Sequence, residues 1–224
     1  MLISILIPLY NGIEFLEETL VSVKAQTYTN WEVLIGVNGH PADSEVYKRA
    51  DWLMKAHQIN GMLFDFVQCK GKPQTLNALL THAHGDWIAL LDADDVWHPQ
   101  KLEIQMKLVD NFDVIGSQCR YFGDMEGSPS IPMGDITDFD FFIVNPLLNS
   151  SVLMKKQYAL WNPENFILED YELWFHLRYK EKLRFYNVNL PLMFHRIYPS
   201  SHFNGSNANA VDDLKNSMRN LYSQ

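Results

Sequence analysis

Four short apolar segments alternate with helical patterns along the first 100 residues of the chain. The segments Leu2–Pro8, Glu32–Val37, Met62–Val67 and Trp87–Leu91 are rich in Ile, Leu, Val and aromatic residues. Apolar runs of this length are typical of strands that are buried on both faces of a sheet. Strand–helix alternation with short connections therefore predicts an α/β fold with a mostly parallel, twisted central sheet and helices on both faces.

The pattern changes in the second half of the chain. A helix over 102–109, a strand at Val114–Gln118 and a long surface loop over 123–136 precede a strand at Ser151–Met154, a helix from Asp170 to about Lys180 and a strand at Arg184–Val188. Near the end, Gly205–Ala210 is small and polar, which predicts a flexible link to a last amphipathic helix. Docking of that helix on its own domain is the simpler interpretation, and contact with a partner or a membrane is the alternative.

Charge and composition exclude several classes of partner. The formal net charge is −9, and a surface of that sign repels phosphate backbones, so we expect no nucleic acid partner. No apolar stretch approaches the roughly 20 residues that span a bilayer, and the opening apolar segment lacks the basic flank of a signal peptide. The cysteines Cys69 and Cys119 form no CxxC pair and are expected to be reduced thiols. These features predict a cytoplasmic protein, with a place at the periphery of a membrane left open.

An acidic cluster directly follows the fourth predicted strand, in the sequence Asp92-Ala93-Asp94-Asp95. Ligands of open α/β sheets bind outside the carboxyl ends of the strands. Alternation along an extended chain places Asp92 and Asp94 on one side, where both can face a hard cation. The alternative is an acidic turn in which Asp95 caps the next helix, and for Asp95 both interpretations stay open.

Several ordered motifs, of which this cluster is one, resemble those of family 2 glycosyltransferases with the GT-A fold, which use nucleotide-sugar donors. The motifs are Ile7–Gly12, Gly71-Lys72 with Leu76-Asn77, Gly85–Asp95 and Glu169–Trp174. Each motif alone is weak, but four in the right order at suitable intervals indicate the family. The resemblance covers about residues 1 to 201. It predicts a GT-A domain over residues 1–203, with a link and a C-terminal helix over 204–224.

The resemblance also implies which residues bind the donor and which carry the chemistry. The implied donor-binding residues are Pro8, Tyr10, Asn11, Asn38, Lys72, Asn77, Asp92, Ala93 and Arg196. Asp94 and Asp92 would hold a divalent metal, Mn²⁺ or Mg²⁺, with His202 as a further candidate ligand. Asp170 would be the general base, with Glu169 and Trp174 on the acceptor side.

Physical chemistry agrees with these roles. Transfer from a sugar nucleotide leaves a diphosphate with extra negative charge, which a metal and Lys72 could stabilise. A base on the opposite face of the sugar inverts the anomeric centre in one displacement. We therefore predict an inverting enzyme that moves a single hexosyl or N-acetylhexosaminyl group, from a UDP-sugar as first choice, to a hydroxyl of a glycan, a lipid-linked acceptor or a protein. For Asp170 the alternative is a helix N-cap.

The sequence departs from the family pattern at two positions. Asn38 stands where the family usually has an acidic residue that holds the nucleobase, and Tyr198 stands where it often has a His near the metal or the diphosphate. These departures favour one rival, an inactive module that binds sugar nucleotides. A second rival, a nucleotidyltransferase, would need a glycine-rich basic loop after the first strand, and residues 9–14 contain one Gly and no basic residue.

Overall fold

The computed structural model describes residues 1–199 and 208–222. The predicted α/β alternation is present from the first residues onward, with most element boundaries within a few residues of the prediction. The elements are β1 (Ile3–Leu9), α1 (Leu16–Lys24), β2 (Trp31–Asn38), α2 (Glu45–Ala56), β3 (Gly61–Phe66), α3 (Lys72–Leu80), β4 (Trp87–Leu90), β5 (Val96–Trp97), α4 (Lys101–Met106), β6 (Val114–Gly123), β7 (Gly134–Asp135), β8 (Leu153–Lys155), α5 (Glu169–Phe175), β9 (Phe185–Ile197) and α6 (Ala208–Tyr222). A 3₁₀ turn at Asn149–Ser151 precedes β8, and a π-helical turn at His176–Lys180 continues α5.

Within the described residues, nine strands form one sheet in the order β3-β2-β1-β4-β8-β6-β9-β5, with β7 paired to β9. The strands β1 to β4 are parallel to their neighbours in this group. β8 then runs antiparallel between β4 and β6, whereas β9 is parallel to β6. The predicted fold class is confirmed, with parallel pairing concentrated in the first half. Antiparallel neighbours need no crossover helix, so the long connection between β6 and β8 can return the chain without one.

The core lies on both faces of the sheet because successive side chains of β1 point in opposite directions. Ile5 and Ile7 pack on one face with buried residues of α1, α2 and α4. Leu6 packs on the other face with buried residues of α3, α5 and α6. Since both faces are covered, the strand ends are the places where polar side chains of the sheet can reach a ligand.

Four elements differ from the predictions. β9 continues to Ile197, well beyond the predicted end at Val188, because a shift in its pairing with β6 near Ser117 and Gln118 accommodates Pro191 within the strand. The short strands β5 and β7, which both pair with β9, were not predicted, and β7 lies within the predicted surface loop over 123–136. α3 ends at Leu80, before the predicted stop at Gly85.

The last helix docks on the domain. Met218 is buried, and Val211, Leu214 and Tyr222 pack against the core on the side of α5. Much of the predicted link at Gly205–Ala210, together with His202, lies outside the described residues. None of the helices in the described part of the chain is both long enough and apolar enough to cross a membrane.

Lys101, at the start of α4, is a fully buried lysine. Its Nζ donates to Gln105 Oε1 at 2.8 Å and lies 4.1 Å from the centre of the Trp97 ring. Burial lowers the pKa of Lys101 well below its ordinary value, because a charged ammonium group is poorly solvated there.

We predict that Lys101 makes folding stability depend on pH. Between its lowered pKa in the folded protein and about 10.4 in the unfolded chain, the unfolded state binds more protons, so stability rises with pH. Urea unfolding at several pH values between about 7 and 10 should show this slope in the wild type. The slope should be smaller in Lys101→Met, and an equal slope in both proteins would contradict the prediction.

Candidate active site

A cleft of about 420 Å³ lies at the carboxyl ends of β1, β2 and β4. The order β2-β1-β4 places β1 at the point where the chain changes direction across the sheet, which is where ligands of such sheets bind. Segments that follow β1, β2, β3, β4 and β9, and the segment before α5, meet there. The residues that line the cleft are Pro8, Tyr10, Asn11, Asn38, Lys70, Gly71, Lys72, Asp92, Ala93, Asp94, Phe166, Ile167, Glu169, His195 and Tyr198.

Lys72 is the cation inside this cleft that pairs with two carboxylates. Its Nζ lies 2.7 Å from Asp92 Oδ1 and 3.4 Å from Glu169 Oε1. Burial by itself lowers the pKa of Lys72, but the charges of Asp92 and Glu169 outweigh it and hold the pKa above its ordinary value. Lys72 therefore stays protonated and joins the start of α3 to the segment after β4 and to the start of α5.

Asp92 is ionised in this environment. Burial raises its pKa, but the charge of Lys72 and hydrogen bonds from Lys72 and Asn149 outweigh burial and lower the pKa below its usual range. Asn149 Nδ2 donates to Asp92 Oδ1 at 3.1 Å. The carboxylate is therefore already neutralised by a protein cation.

Asp94 has a different electrostatic environment. Burial and the negative charges of Asp95 and Asp92 raise its pKa to about 6. Tyr198 donates its hydroxyl to Asp94 Oδ2 at 2.9 Å, and Arg196 Nε donates to the backbone oxygen of Asp94 at 3.0 Å. Asp94 thus lies in an excess of negative charge, which an added cation would relieve.

Asp95 connects the acidic cluster to β9. Its buried carboxylate oxygen Oδ1 lies 2.9 Å from His195 Nδ1 and accepts the backbone N–H of Arg196 at 3.1 Å. The next helix, α4, starts after Gln100 rather than after Asp95. The capping interpretation of Asp95 is therefore wrong, and its carboxylate anchors the end of β9 beside the cleft.

Arg196 lies behind the cleft wall rather than on it. Its guanidinium group lies 4.4 Å from the Phe15 ring centre and 4.3 Å from that of Phe122, and it forms an ion pair with Glu18. With the bond to the backbone of Asp94, the guanidinium group is engaged by two aromatic rings, one carboxylate and one backbone oxygen. Arg196, which was predicted to bind the donor, thus does not line the cleft and instead donates to the backbone of Asp94.

Asp170 is the second residue of α5 and does not occupy the N-cap position, which Leu168 does. Its Oδ2 lies 3.4 Å from Asn145 Nδ2, and its Oδ1 accepts the N–H of Tyr171. Burial and the charge of Glu169 raise the pKa of Asp170 to about 7. Asp170 is thus partly buried next to the cleft, while its neighbour Glu169 forms part of the cleft wall.

Two other predicted site residues are placed elsewhere. Asn77 uses both ends of its amide on the backbone of Trp161, at 2.8 and 3.0 Å, and does not line the cleft. Trp174 is fully buried in the core, because the helical period of α5 turns it toward the sheet, so its predicted place on the acceptor side is corrected. His202 lies outside the described residues.

The cleft also contains five residues that are not among the donor-binding, metal and acceptor-side residues predicted above: Lys70, Gly71, Phe166, Ile167 and His195. Gly71 belongs to the Gly71-Lys72 motif, and Lys70 directly precedes it, so nearness in sequence could have found Lys70. His195 depends on the full length of β9, and no local pattern indicates that length.

The described residues contain no group of three or more His, Cys, Asp or Glu side chains placed to share a metal ion. Among the described residues that line the cleft, Asp94 is the carboxylate whose negative charge no protein cation compensates. A metal would therefore need ligands besides the protein side chains described, such as diphosphate oxygens or water.

Comparisons with known proteins agree with this architecture. Residues 4–168 match the model of a family described as glycosyl transferase family 2. An uncharacterized glycosyltransferase of Rickettsia felis is 27% identical over 197 residues, which is 78% of this chain and 31% of that protein. The UDP-Glc:alpha-D-GlcNAc-diphosphoundecaprenol beta-1,3-glucosyltransferase WfgD of Escherichia coli is 32% identical over 108 residues, 48% of this chain and 41% of the relative. The chain thus spans about a third to two fifths of the length of these relatives.

Solved structures show the same fold. The crystal structure of S. aureus TarS 1-349 in complex with UDP-GlcNAc superposes with a TM-score of 0.78 at 14% identity, covering 97% of this chain and 66% of the TarS 1-349 chain. Glucosyl-3-phosphoglycerate synthase from Mycobacterium tuberculosis, solved with Mn²⁺ and UDP, superposes with a TM-score of 0.65 at 16% identity, covering 96% and 79%. The expected GT-A fold is confirmed. Because the family model matches most of the chain, from the first strand to the residue before α5, this protein belongs to glycosyl transferase family 2.

Proposed function

We propose that this chain is an inverting glycosyltransferase domain that moves one sugar from a nucleotide-diphosphate donor to an acceptor hydroxyl. The observation that carries the proposal is the meeting of Lys72, Asp92 and Glu169 in one cleft, with Asp94 on its wall and Asp170 beside it. Such a cleft offers the ammonium group of Lys72 to a diphosphate. It also offers Asp170, whose pKa is about 7, as a group that can accept the proton of a hydroxyl. Membership of family 2 supports the same activity.

The donor's nucleoside is proposed to occupy the part of the cleft formed by the ends of β1 and β2. Tyr10 is half exposed there, and its ring packs across Gly39, whose φ is +72°. Asn38, nearly buried at the end of β2, offers a carboxamide that can both donate to and accept from a base edge. Uracil presents such a donor and acceptor side by side, so a UDP-sugar is the first candidate.

A divalent metal, Mn²⁺ or Mg²⁺, fits the environment of Asp94. Hard cations prefer carboxylate oxygens, and Asp94 lies in an excess of negative charge that raises its pKa to about 6. We propose Asp94 as the principal protein ligand and Asp92, which is already paired with Lys72, as a secondary one. When bound, the metal would supply Lewis-acid stabilisation of the diphosphate leaving group.

A panel of sugar nucleotides tests the donor and the metal together. UDP-sugars are tried first. Slow hydrolysis of one sugar nucleotide should be detected in the presence of Mn²⁺ and should be lost when EDTA removes the metal. Calorimetry should show UDP binding at least about 10-fold weaker without metal, and Asp94→Ala should remove the difference. Equal affinity with and without metal would rule out the metal site, and no hydrolysis or binding of any donor would rule out the activity.

Lys72 is proposed to donate a hydrogen bond to the donor's diphosphate in addition to pairing with the two carboxylates. Lys72→Met keeps much of the side-chain length but leaves Asp92 and Glu169 without their cation. We expect UDP affinity to fall about 10-fold and the free energy of unfolding to fall by about 1–3 kcal/mol, less than for a fully buried pair because these side chains are partly exposed. Lys70→Met, on the same wall, is the matched control, and an unchanged melting temperature in Lys72→Met would contradict the pairing.

Asp170 is proposed to accept the acceptor's proton. Because its pKa is raised to about 7, the rate should rise with pH through that value as the carboxylate form becomes populated. Asp170→Asn keeps the size of the side chain but cannot act as a base, so turnover should fall about 10²–10⁴-fold with nearly unchanged melting temperature.

Two parallel variants complete this test. Glu164→Gln, an exposed carboxylate close in sequence, should keep wild-type turnover. If Asp170→Asn also keeps it while Glu169→Gln loses it, the base is Glu169, which forms part of the cleft wall.

The acceptor is proposed to approach past Phe166 and Ile167, which form the lip of the cleft next to Glu169. WfgD and WfaP of Escherichia coli are named for a lipid-linked acceptor, so a lipid-linked saccharide is the first candidate, before a free glycan or a protein.

An inactive donor-binding module is the second candidate function, favoured by Asn38 and Tyr198. It predicts donor binding without hydrolysis. A cytoplasmic location of the protein remains a prediction from the sequence.

A further inference from the structure

A short turn far along the chain from the acidic cluster contacts Asp92 twice. In the 3₁₀ turn Asn149–Ser151, Asn149 Nδ2 donates to Asp92 Oδ1 at 3.1 Å. The backbone N–H of Asp92 donates to Ser150 Oγ at 3.0 Å. The turn therefore holds both the carboxylate and the main chain of Asp92, two residues beyond the end of β4.

The turn is itself fixed by buried polar side chains. Trp97 Nε1 donates to the backbone oxygen of Ser150 at 2.7 Å, and Gln105 Nε2 donates to that of Ser151 at 2.8 Å. Ser150, Ser151, Trp97 and Gln105 are all buried. Buried hydrogen bonds of this kind permit few alternative arrangements of the backbone, so the turn is a rigid base for Asp92.

Asn149 contributes less to stability than its position suggests. Its Oδ1 is buried and has no hydrogen-bond partner among the described residues. An unsatisfied buried acceptor is destabilising. The bond from its Nδ2 to Asp92 is thus the interaction that distinguishes Asn149 from an apolar residue of similar size.

The two hydrogen-bond donors to Asp92 contact the same carboxylate oxygen and leave the other one open. Lys72 and Asn149 both contact Oδ1, which leaves Oδ2 as the oxygen that a ligand can use. Lys72 can move on its long side chain, whereas Asn149 is tied to a rigid turn. Asn149 therefore fixes the rotation of the carboxylate.

We propose that Asn149 and Ser150 are positioning residues that hold Asp92 in the orientation required to bind the donor. The inference rests on the proposed function of the cleft. It assigns a role to the connection between β6 and β8, which the sequence motifs of the donor site do not include. The two residues act through Asp92 and need not touch the donor.

Matched variants in the same turn test this role. Asn149→Ala and Ser150→Ala should each weaken UDP binding in the presence of Mn²⁺ about 10-fold, measured by calorimetry. Asn149→Asp should weaken it at least as much, because it places a like charge against Asp92. Ser151→Ala removes a buried hydroxyl that donates to the backbone oxygen of Leu148, so it should lower the melting temperature without changing UDP affinity.

A purely structural role makes the opposite prediction. Under it, Asn149→Ala, Ser150→Ala and Ser151→Ala would lower the melting temperature together and leave UDP affinity equal to that of the wild type. That result would overturn the inference while the proposed function stands.

Failure of the proposed function would look different, since the wild type itself would bind no sugar nucleotide. The inference would then be decided by ligand-free crystal structures of the wild type and Asn149→Ala. A rotated or disordered Asp92 carboxylate in the variant would support positioning, and an unmoved one would overturn it.

Discussion

The ammonium group of Lys72 lies between Asp92 and Glu169, and the arrangement of the whole cleft depends on this pairing. The end of β4 and the start of α5 together bring five carboxylates close to one another, in a chain whose net charge is already −9. Such crowding is tolerated only where cations or hydrogen-bond donors compensate it. Lys72 compensates Asp92 and Glu169, whereas Asp94 and Asp170 keep pKa values raised to about 6 and about 7. One lysine thus pairs with two of the carboxylates, while Asp94 and Asp170 are left poised for a cation or a proton.

The two halves of the sheet have different roles in this arrangement. The parallel strands β1 to β4 deliver the groups that are proposed to contact the donor, since parallel strands end at the same edge. The second half supplies the supports. The end of β9 holds Asp95 and Asp94 through His195, Arg196 and Tyr198, and the turn before β8 holds Asp92. The mixed pairing of β8, β6 and β9 is what places these supports beside β4.

Local sequence patterns determined the first half of the fold and the residues of its strand ends. The elements β1 to β4 and the helices between them follow from apolar periodicity, because each is buried on a face that its own residues define. Pro8, Tyr10, Asn11, Asn38, Lys72, Asp92, Ala93 and Asp94 were selected from sequence motifs, and the structure brings all eight into one cleft. Their roles in binding and catalysis stay proposals, but their convergence follows from parallel strands that share an edge.

Tertiary structure alone decided the supporting interactions, because they join residues far apart in the chain. Asp95 bonds a strand that ends about 100 residues later, so its sequence could not distinguish a helix cap from an anchor. The length of β9 depends on a pairing shift with β6 that admits Pro191, which a local pattern interprets as a strand end. Trp174 and Asn77 fit their motifs, yet the packing of α5 buries one and the backbone of Trp161 occupies the other. A sequence specifies which side chains a strand end presents, whereas the partners that orient them are chosen by packing between distant segments.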